Sequence, residues 1–327
     1  MRIGIDLMGS DRSPEVIFKA VLKVAERVGN VHTFVLISTP HVQSSIDHTH
    51  PIEWVLAEEE IEMNEAPLLA FRRKKNSSMH VGIGMIKEKR LDAFVSTGNT
   101  GALMATATFL LPRLVERPAL MVTMPNGERG VSVLDVGANL TPKPHHIVSF
   151  AHMGIIYREI MHEIEHPTCG LLNVGAEEQK GPKELKETYH LMQEEFGSRF
   201  KGNVEGREVF LGKVDVLVTD GFTGNVFLKT CEGISSFLFD YLHEKFSNAG
   251  GIEKVASHLH EKFNYSKHPG ALLCGVDGVV VKCHGHSNRQ ALVNGILGAI
   301  DVAEKGVIPQ MRERLIPRAK NKDTKAW

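Results

Sequence analysis

Asp92-Ala-Phe-Val95-Ser96-Thr97-Gly98-Asn99-Thr100-Gly101 aligns without a gap on Asp215-Val-Leu-Val218-Thr219-Asp220-Gly221-Phe222-Thr223-Gly224. Each stretch begins as a short apolar run, passes a hydroxyl side chain and turns through two glycines into a helical pattern. This is how a strand, a tight turn and a helix read in sequence. A helix N-terminus carries unpaired N–H groups and partial positive charge, so such a turn suits an anion. Glycine allows the backbone to approach a ligand and supplies φ > 0 where a turn needs it. A βα turn that binds nothing reads the same in a single copy. Two copies in register, both with hydroxyls, favour a phosphate held between them.

The pattern extends outward. Arg2 to Leu7 reads as a strand, followed by Met8-Gly9-Ser10-Asp11 and a helix from Pro14 to about Val28. Ser13 is an N-cap ahead of a proline at the first helical position, and Val16, Ile17, Ala20, Val21, Val24, Ala25 and Val28 form one apolar stripe. Thr33 to Ser38 is a second strand; Val131 to Asp135 and Gly170 to Val174 also run into glycine turns. Strands alternating with helices predict an α/β fold with a mostly parallel sheet covered on both faces. Ligands then collect at the carboxyl ends of the strands. A helix starting near Val226 carries Ile234, Phe237, Leu238, Tyr241, Leu242 and Phe246, breaks at Ser247-Asn-Ala-Gly-Gly251, and is followed by an amphipathic stretch, Ile252 to Phe263. These predict a projecting helical hairpin over about 232–268, packed on its own body or a partner, or touching a membrane. A strand pair, Ala271 to Val276 and Val279 to Lys282, precedes a helix from about Ser287 to Glu304, and the tail Lys320 to Trp327 reads as frayed. No linker composition interrupts residues 1–327, which predicts a single α/β domain.

Composition narrows the function classes. The chain has 327 residues, 42% of them hydrophobic and 24% charged, with a net charge of −1. That balance gives no global attraction to nucleic acid or to an anionic membrane. Met-Arg-Ile-Gly-Ile-Asp at the start is strand-like, without a signal-peptide pattern, and no apolar run reaches the ~18 residues of a membrane span; the expected location is the cytoplasm. Four scattered cysteines without a CxxC pair read as free thiols. Among 17 histidines, Cys283-His284-Gly285-His286 is too crowded for zinc spacings, so no metal and no cofactor are expected. His145, His146 and His152 read as packing or solvent-facing residues on a helix.

There is no GxxxxGK[ST], no GxGxxG opening a helix and no GxSxG. A nucleoside triphosphatase, a standard dinucleotide enzyme and a serine hydrolase are therefore disfavoured. One polar segment remains, Leu172-Asn173-Val174-Gly175-Ala176-Glu177-Glu178-Gln179-Lys180-Gly181. Asn173 lies near a strand end, and Lys180 precedes Gly181-Pro182 and a new helix. That lysine either meets a phosphate and a developing oxyanion or is an ordinary solvated lysine.

Taken together, the chain resembles the acyl-[acyl-carrier-protein]:phosphate acyltransferase family of bacterial fatty acid and phospholipid synthesis. The matching segments run from Ile3-Gly-Ile-Asp6-Leu-Met-Gly9 through Arg72-Arg-Lys-Lys-Asn-Ser-Ser-Met79, Ser96-Thr-Gly-Asn-Thr-Gly-Ala102 and Asp135-Val-Gly-Ala-Asn139. They continue with Gly202-Asn-Val-Glu-Gly-Arg207, Asp220-Gly-Phe-Thr-Gly-Asn225, Leu228-Lys229 and His284-Gly285-His286-Ser287. Ser10, Ala176, Cys283 and His286 depart from the family pattern. The resemblance implies a three-layer α/β/α sandwich related to phosphate acetyltransferases and isopropylmalate dehydrogenases, assembled as a homodimer. It also implies transfer of a fatty acyl group from acyl-acyl carrier protein to inorganic phosphate. The acyl phosphate would feed a glycerol-phosphate acyltransferase, with peripheral membrane contact.

Carried onto this chain, the resemblance implies Lys180 and Asn173 as catalytic residues. The twin-loop pattern and the resemblance together place Ser96, Gly98, Asn99, Thr100, Gly101, Asp220, Gly221, Thr223, Gly224, Asn225 and His284 around phosphate and substrate, with the Gly98–Gly101 amides and the Asn99 and Thr100 side chains expected to form much of the cradle. Arg72, Arg73, Lys74 and Lys75, the densest basic run, either dock the acidic carrier or form a solvated face. Inorganic phosphate is itself the nucleophile, so no Ser–His–Asp triad is needed. Two competing readings are a metal- and NAD-dependent decarboxylating dehydrogenase, with Asp6, Asp135 and Asp220 as ligands, and a non-catalytic protein that binds acyl carrier protein.

Overall fold

A computed structural model describes residues 1–46, 52–126, 129–246 and 270–323. The chain divides into two compact units, Met1–Pro118 with Pro269–Trp327, and Ala119–His268.

In the first unit, β1 (Arg2–Asp6), β2 (Thr33–Ser38), β3 (Glu53–Leu56), β4 (Ala93–Ser96), β10 (Ala271–Cys274) and β11 (Val279–Lys282) lie in the order β3-β2-β1-β4-β11-β10. All neighbours pair in parallel except β10, which runs antiparallel to β11. The central strands are buried along nearly their whole length, which requires cover on both faces and explains their unbroken apolar runs. α1 (Pro14–Val28) packs on α9 (Arg289–Glu304), which lies over β4 and β11. α4 (Ser78–Lys87) lies over β1, β2 and β4, beside α5 (Thr100–Leu110). Gly82 sets the approach of α4, since a Cβ there would lie 2.1 Å from the Phe94 ring. α2 (Pro40–Ser45), α3 (Pro67–Arg73) and α10 (Val307–Asp323) complete the unit.

The second unit orders its strands β5-β6-β9-β7-β8. β5 (Ala119–Met124) is antiparallel to β6 (Val131–Leu134), while β6, β9 (Val216–Val218), β7 (Cys169–Leu172) and β8 (Phe200–Val204) are parallel. α6 (Pro144–His162) covers β6 and β9, where Gly154 allows contact that a Cβ, 2.5 Å from Val216, would prevent. α7 (Lys183–Phe196) packs on α6 and β8, and α8 (Gly221–Phe246) packs on β6.

The mostly parallel α/β architecture agrees with the sequence pattern, and α1, β2 and β11 fall on their expected limits. Several boundaries differ, β1, β6 and β10 by only one or two residues, and three bear on the loops and the tail. α8 begins at Gly221, not near Val226, because Asp220 caps it. β7 ends at Leu172, before Asn173 turns into the polar segment. α10 extends through Asp323, so helix replaces the first part of the tail expected to fray. Only the first limb of the hairpin is seen, as the last turns of α8; the break at 247–251 and the stretch Ile252 to Phe263 lie outside the described residues.

Candidate functional site

The first glycine loop joins β4 to α5. Its root is a buried polar row across three strands: Ser96 is the register partner of Lys282, and Asp6 follows Ile5, the partner of Val95. Ser96 Oγ donates to Asp6 Oδ2 at 2.7 Å and accepts from the Gly98 N–H at 3.1 Å. Asp6 Oδ1 accepts from the Met8 N–H at 3.0 Å. Burial pushes the Asp6 carboxyl up to about 6, with the Ser96 hydroxyl and the Met8 amide opposing that shift.

Asn99 caps α5, its Oδ1 accepting from the Ala102 N–H at 3.0 Å. Its Nδ2 donates to the carbonyls of Met63 and Glu65, both at 3.0 Å, so the side chain ties the 62–65 segment to the helix start. The N–H groups of Thr100 and Gly101 have no acceptor among the described residues. An incoming anion would therefore meet backbone, with Asn99 holding the loop in shape.

His284 is exposed beside this unit's last loop. Two family departures meet there. Ser10 Oγ donates to the Gly285 carbonyl at 3.3 Å, His286 Nδ1 lies 3.0 Å from Asp11 Oδ2, and the Arg12 guanidinium donates to the His286 carbonyl. The first and last loops of the unit hold each other through Ser10, Asp11 and Arg12 on one side and Gly285 and His286 on the other.

The second glycine loop is in register with the first as sequence but differs as structure. Its cap sits two aligned positions earlier, at Asp220, whose Oδ1 accepts from the Thr223 N–H (2.8 Å) and whose Oδ2 accepts from the Thr223 hydroxyl (2.7 Å). The Gly221 N–H donates to the Asn139 carbonyl at 2.7 Å. A Cβ on Gly224 would lie 1.9 Å from the Asp135 carbonyl oxygen, so these glycines serve the close seating of α8 on the 135–139 turn. Asp135 shapes that turn. It is fully buried and accepts from the N–H groups of Leu120, Gly137, Ala138 and Asn139 and from the Asn139 side-chain amide. Burial raises its pKa despite those bonds. Asn225 is exposed with its side chain 3.8 Å from where a Gly137 Cβ would stand.

Beyond β7, Asn173 Nδ2 donates to the Lys180 carbonyl and to Asn203 Oδ1, both at 3.1 Å, and Asn203 Nδ2 donates to the Glu177 carbonyl at 2.8 Å. The two asparagines close the 174–180 loop on itself. This leaves the Lys180 side chain half-exposed, with Glu177 Oε2 at 4.0 Å. Sequence reasoning gives no role to Asn203 or Lys282: Asn203 lies inside β8, within Gly202-Asn-Val-Glu-Gly-Arg207, and the signal for Lys282 is a lysine closing an all-valine strand.

The fatty acid synthesis protein family matches residues 1–310. The chain belongs to that family. A phosphate acyltransferase of Chlamydia caviae is 41% identical over 323 residues, spanning 96% of this chain and 99% of the relative. One from Chlamydia pneumoniae is 39% identical over 328 residues, spanning 97% and 99%. Among solved structures, a phosphotransacetylase from Streptococcus pyogenes superposes with TM-score 0.61 at 11% identity, covering 93% of this chain and 94% of that one. A branched-chain phosphotransacylase from Enterococcus faecalis gives 0.59 at 12% identity, covering 93% and 99%. At such identities the likeness is one of fold, and the expected α/β fold agrees with it.

The structure divides the basic run. Lys74 Nζ lies 2.6 Å from Glu65 Oε1 and donates to the Glu60 carbonyl at 2.7 Å, while Lys75 Nζ sits 3.9 Å from the centre of the Phe71 ring. Arg72 and Arg73, in the last turn of α3, are exposed and have no ion pair among the described residues. Cys283 and Cys169 are buried, which pushes their thiols up to about 11 and about 12, so neither is poised as a nucleophile.

Asp6 gives a pH signature. Its carboxyl binds a proton more readily folded than unfolded, so its favourable contribution is complete below the ordinary value of 3.8 and lost as pH rises through about 6. The loss is on the order of 3 kcal/mol at most. Urea unfolding of Asp6→Asn between about pH 4 and pH 7 should lack this component of the wild-type decline. Parallel pH dependences for the two proteins would show that Asp6 titrates normally.

Proposed function

We propose that the protein transfers a fatty acyl group from an acyl carrier protein thioester to inorganic phosphate. A phosphate oxygen attacks the thioester carbonyl, and collapse of the tetrahedral intermediate releases acyl phosphate and the carrier thiolate. The observation that carries this reading is the α5 N-terminus, where the Thr100 and Gly101 N–H groups have no acceptor among the described residues, in a loop braced by Ser96 and Asn99. Relatives named phosphate acyltransferase, matched over nearly their full length, support it. Asp135 and Asp220, which a dehydrogenase would turn toward a cation, are instead committed to backbone amides and a hydroxyl, which favours the transferase.

Lys180 is the candidate cation for the developing oxyanion, on a loop that Asn173 and Asn203 hold closed. The test is incubation with palmitoyl carrier protein and phosphate, reading acyl phosphate by mass spectrometry and free carrier thiol. Phosphate-dependent formation of both is expected; thiol release without phosphate would indicate a hydrolase, and no release a binding protein. Lys180→Ala should lower turnover by ~10²–10³, as loss of an oxyanion donor does, and Lys180→Arg should rescue poorly because a flat guanidinium is not a compact charge. Unchanged turnover would return Lys180 to the solvated surface.

For the acidic carrier, Arg72 and Arg73 are the docking cations, since Lys74 and Lys75 are engaged within the fold. Arg72→Ala with Arg73→Ala should weaken carrier binding at low salt and flatten its salt dependence, because steering decays over a Debye length of about 8–10 Å. Identical salt titrations for variant and wild type would exclude the pair.

α8 exposes Ile234, Phe237, Leu238 and Tyr241. This face supports peripheral contact with the cytoplasmic side of the membrane, where an acyl phosphate would be consumed by a glycerol-phosphate acyltransferase, or pairing with a second copy. Phe237→Glu with Leu238→Glu should abolish co-sedimentation with anionic vesicles while leaving the mass in solution unchanged. A fall to monomer mass would assign the face to a homodimer instead.

A further inference from the structure

Lys282 ends β11, a strand otherwise made of valines, and only 8% of it is exposed. Lysine is rarely buried to this degree, because taking an ammonium out of water is costly unless it is well bonded. Its Nζ donates to the Thr97 carbonyl at 3.3 Å and to the Cys283 carbonyl. Thr97 stands between Ser96 and the first glycine of the loop, so this ammonium grips the loop at its root. Asp6 grips the same root from the other side of β4, through Ser96 and then the Gly98 N–H. The Thr97 hydroxyl, 2% exposed, has no hydrogen-bond partner among the described residues, so the root also holds a polar group the fold leaves unsatisfied.

We propose that Lys282 is a positioning residue of the phosphate site: by holding the Thr97 and Cys283 carbonyls it sets the amides from Asn99 to Gly101 and places a fixed positive charge beneath them. The inference rests on the reading of this loop as the phosphate cradle. Two physical effects follow. A charge fixed by carbonyls needs no reorganisation when a multiply charged anion arrives. Lys282 also offsets the repulsion that ionised Asp6, two strands away in the same row, would exert on that anion; adjacent strands lie about 4.8 Å apart.

The test compares wild type with Lys282→Gln and Lys282→Arg, using exposed Lys87→Met as control. Phosphate KM, carrier-substrate KM and kcat are measured, together with the rise in Tm that inorganic phosphate produces in the absence of acyl donor. Lys282→Gln should raise phosphate KM about 10–100-fold, the range for losing a charged hydrogen-bonding group, with carrier KM held. The phosphate-induced rise in Tm should shrink in parallel, a change that a purely structural lysine would not produce. Phosphate KM within about twofold of wild type in folded Lys282→Gln would overturn the proposal. Should that variant fail to fold, Lys282→Arg decides. Its flat fork cannot take the ammonium's place between two carbonyls, so phosphate KM should rise severalfold, and an unchanged value overturns the proposal. Absence of phosphate-dependent acyl release in wild type would instead defeat the functional reading. A wild type that is active and stabilised by phosphate, beside unaffected variants, would defeat only the role of Lys282.

Discussion

The first glycine loop depends on one buried hydroxyl. Ser96 has a single proton to give and gives it to Asp6, which turns its lone pairs toward the Gly98 N–H. Without that hydroxyl, a buried carboxylate and a buried amide would each lose a partner, a larger penalty than the bond's own net worth. The parallel pairing of β1, β4 and β11 makes the arrangement possible by bringing Asp6, Ser96 and Lys282 into one row at the carboxyl ends of the strands. The helix that follows can then start with amides that meet no acceptor among the described residues, because the strand end supplies the bracing.

The second glycine loop shows how little separates an open helix N-terminus from an occupied one. Asn99 caps α5 with a neutral amide, leaving the positive end of the helix uncompensated. Asp220 caps α8 with a carboxylate, which already provides the negative charge that the helix end attracts. Gly221 and Gly224 then serve close packing on the 135–139 turn, whose shape is set by the many amides directed at Asp135. The same ten-residue pattern therefore supports two different local chemistries.

Asn173 and Asn203 illustrate a second way of presenting a charged side chain. Neither needs to meet substrate to matter, since together they hold the carbonyls of Lys180 and Glu177 and fix the loop between them. Gly181, at φ +83°, sits so close to Asn173 that a Cβ would fall 2.7 Å from its Oδ1. The backbone around Lys180 is thus tightly specified, while the lysine's own side chain stays in solvent.

By itself the sequence determined what depends on neighbouring residues. Alternating apolar runs, Ser13-Pro14 at a helix start and the glycine turns located α1, β2, β11 and the mostly parallel α/β class, because helix period, caps and turns are local physics. The ordered set of motifs also sufficed to place the chain in its family. Only the tertiary structure decided which polar groups meet. Ser96 finds Asp6 across 90 residues, Thr97 finds Lys282 across 185, and Ser10 finds Gly285 across 275. It also divided a basic run that looks uniform in sequence, tying Lys74 to Glu65 and leaving Arg72 and Arg73 in solvent. The reason is physical: a charge buried at a strand end is satisfied by whichever strand the sheet topology places beside it, and that neighbour is not written in the local pattern.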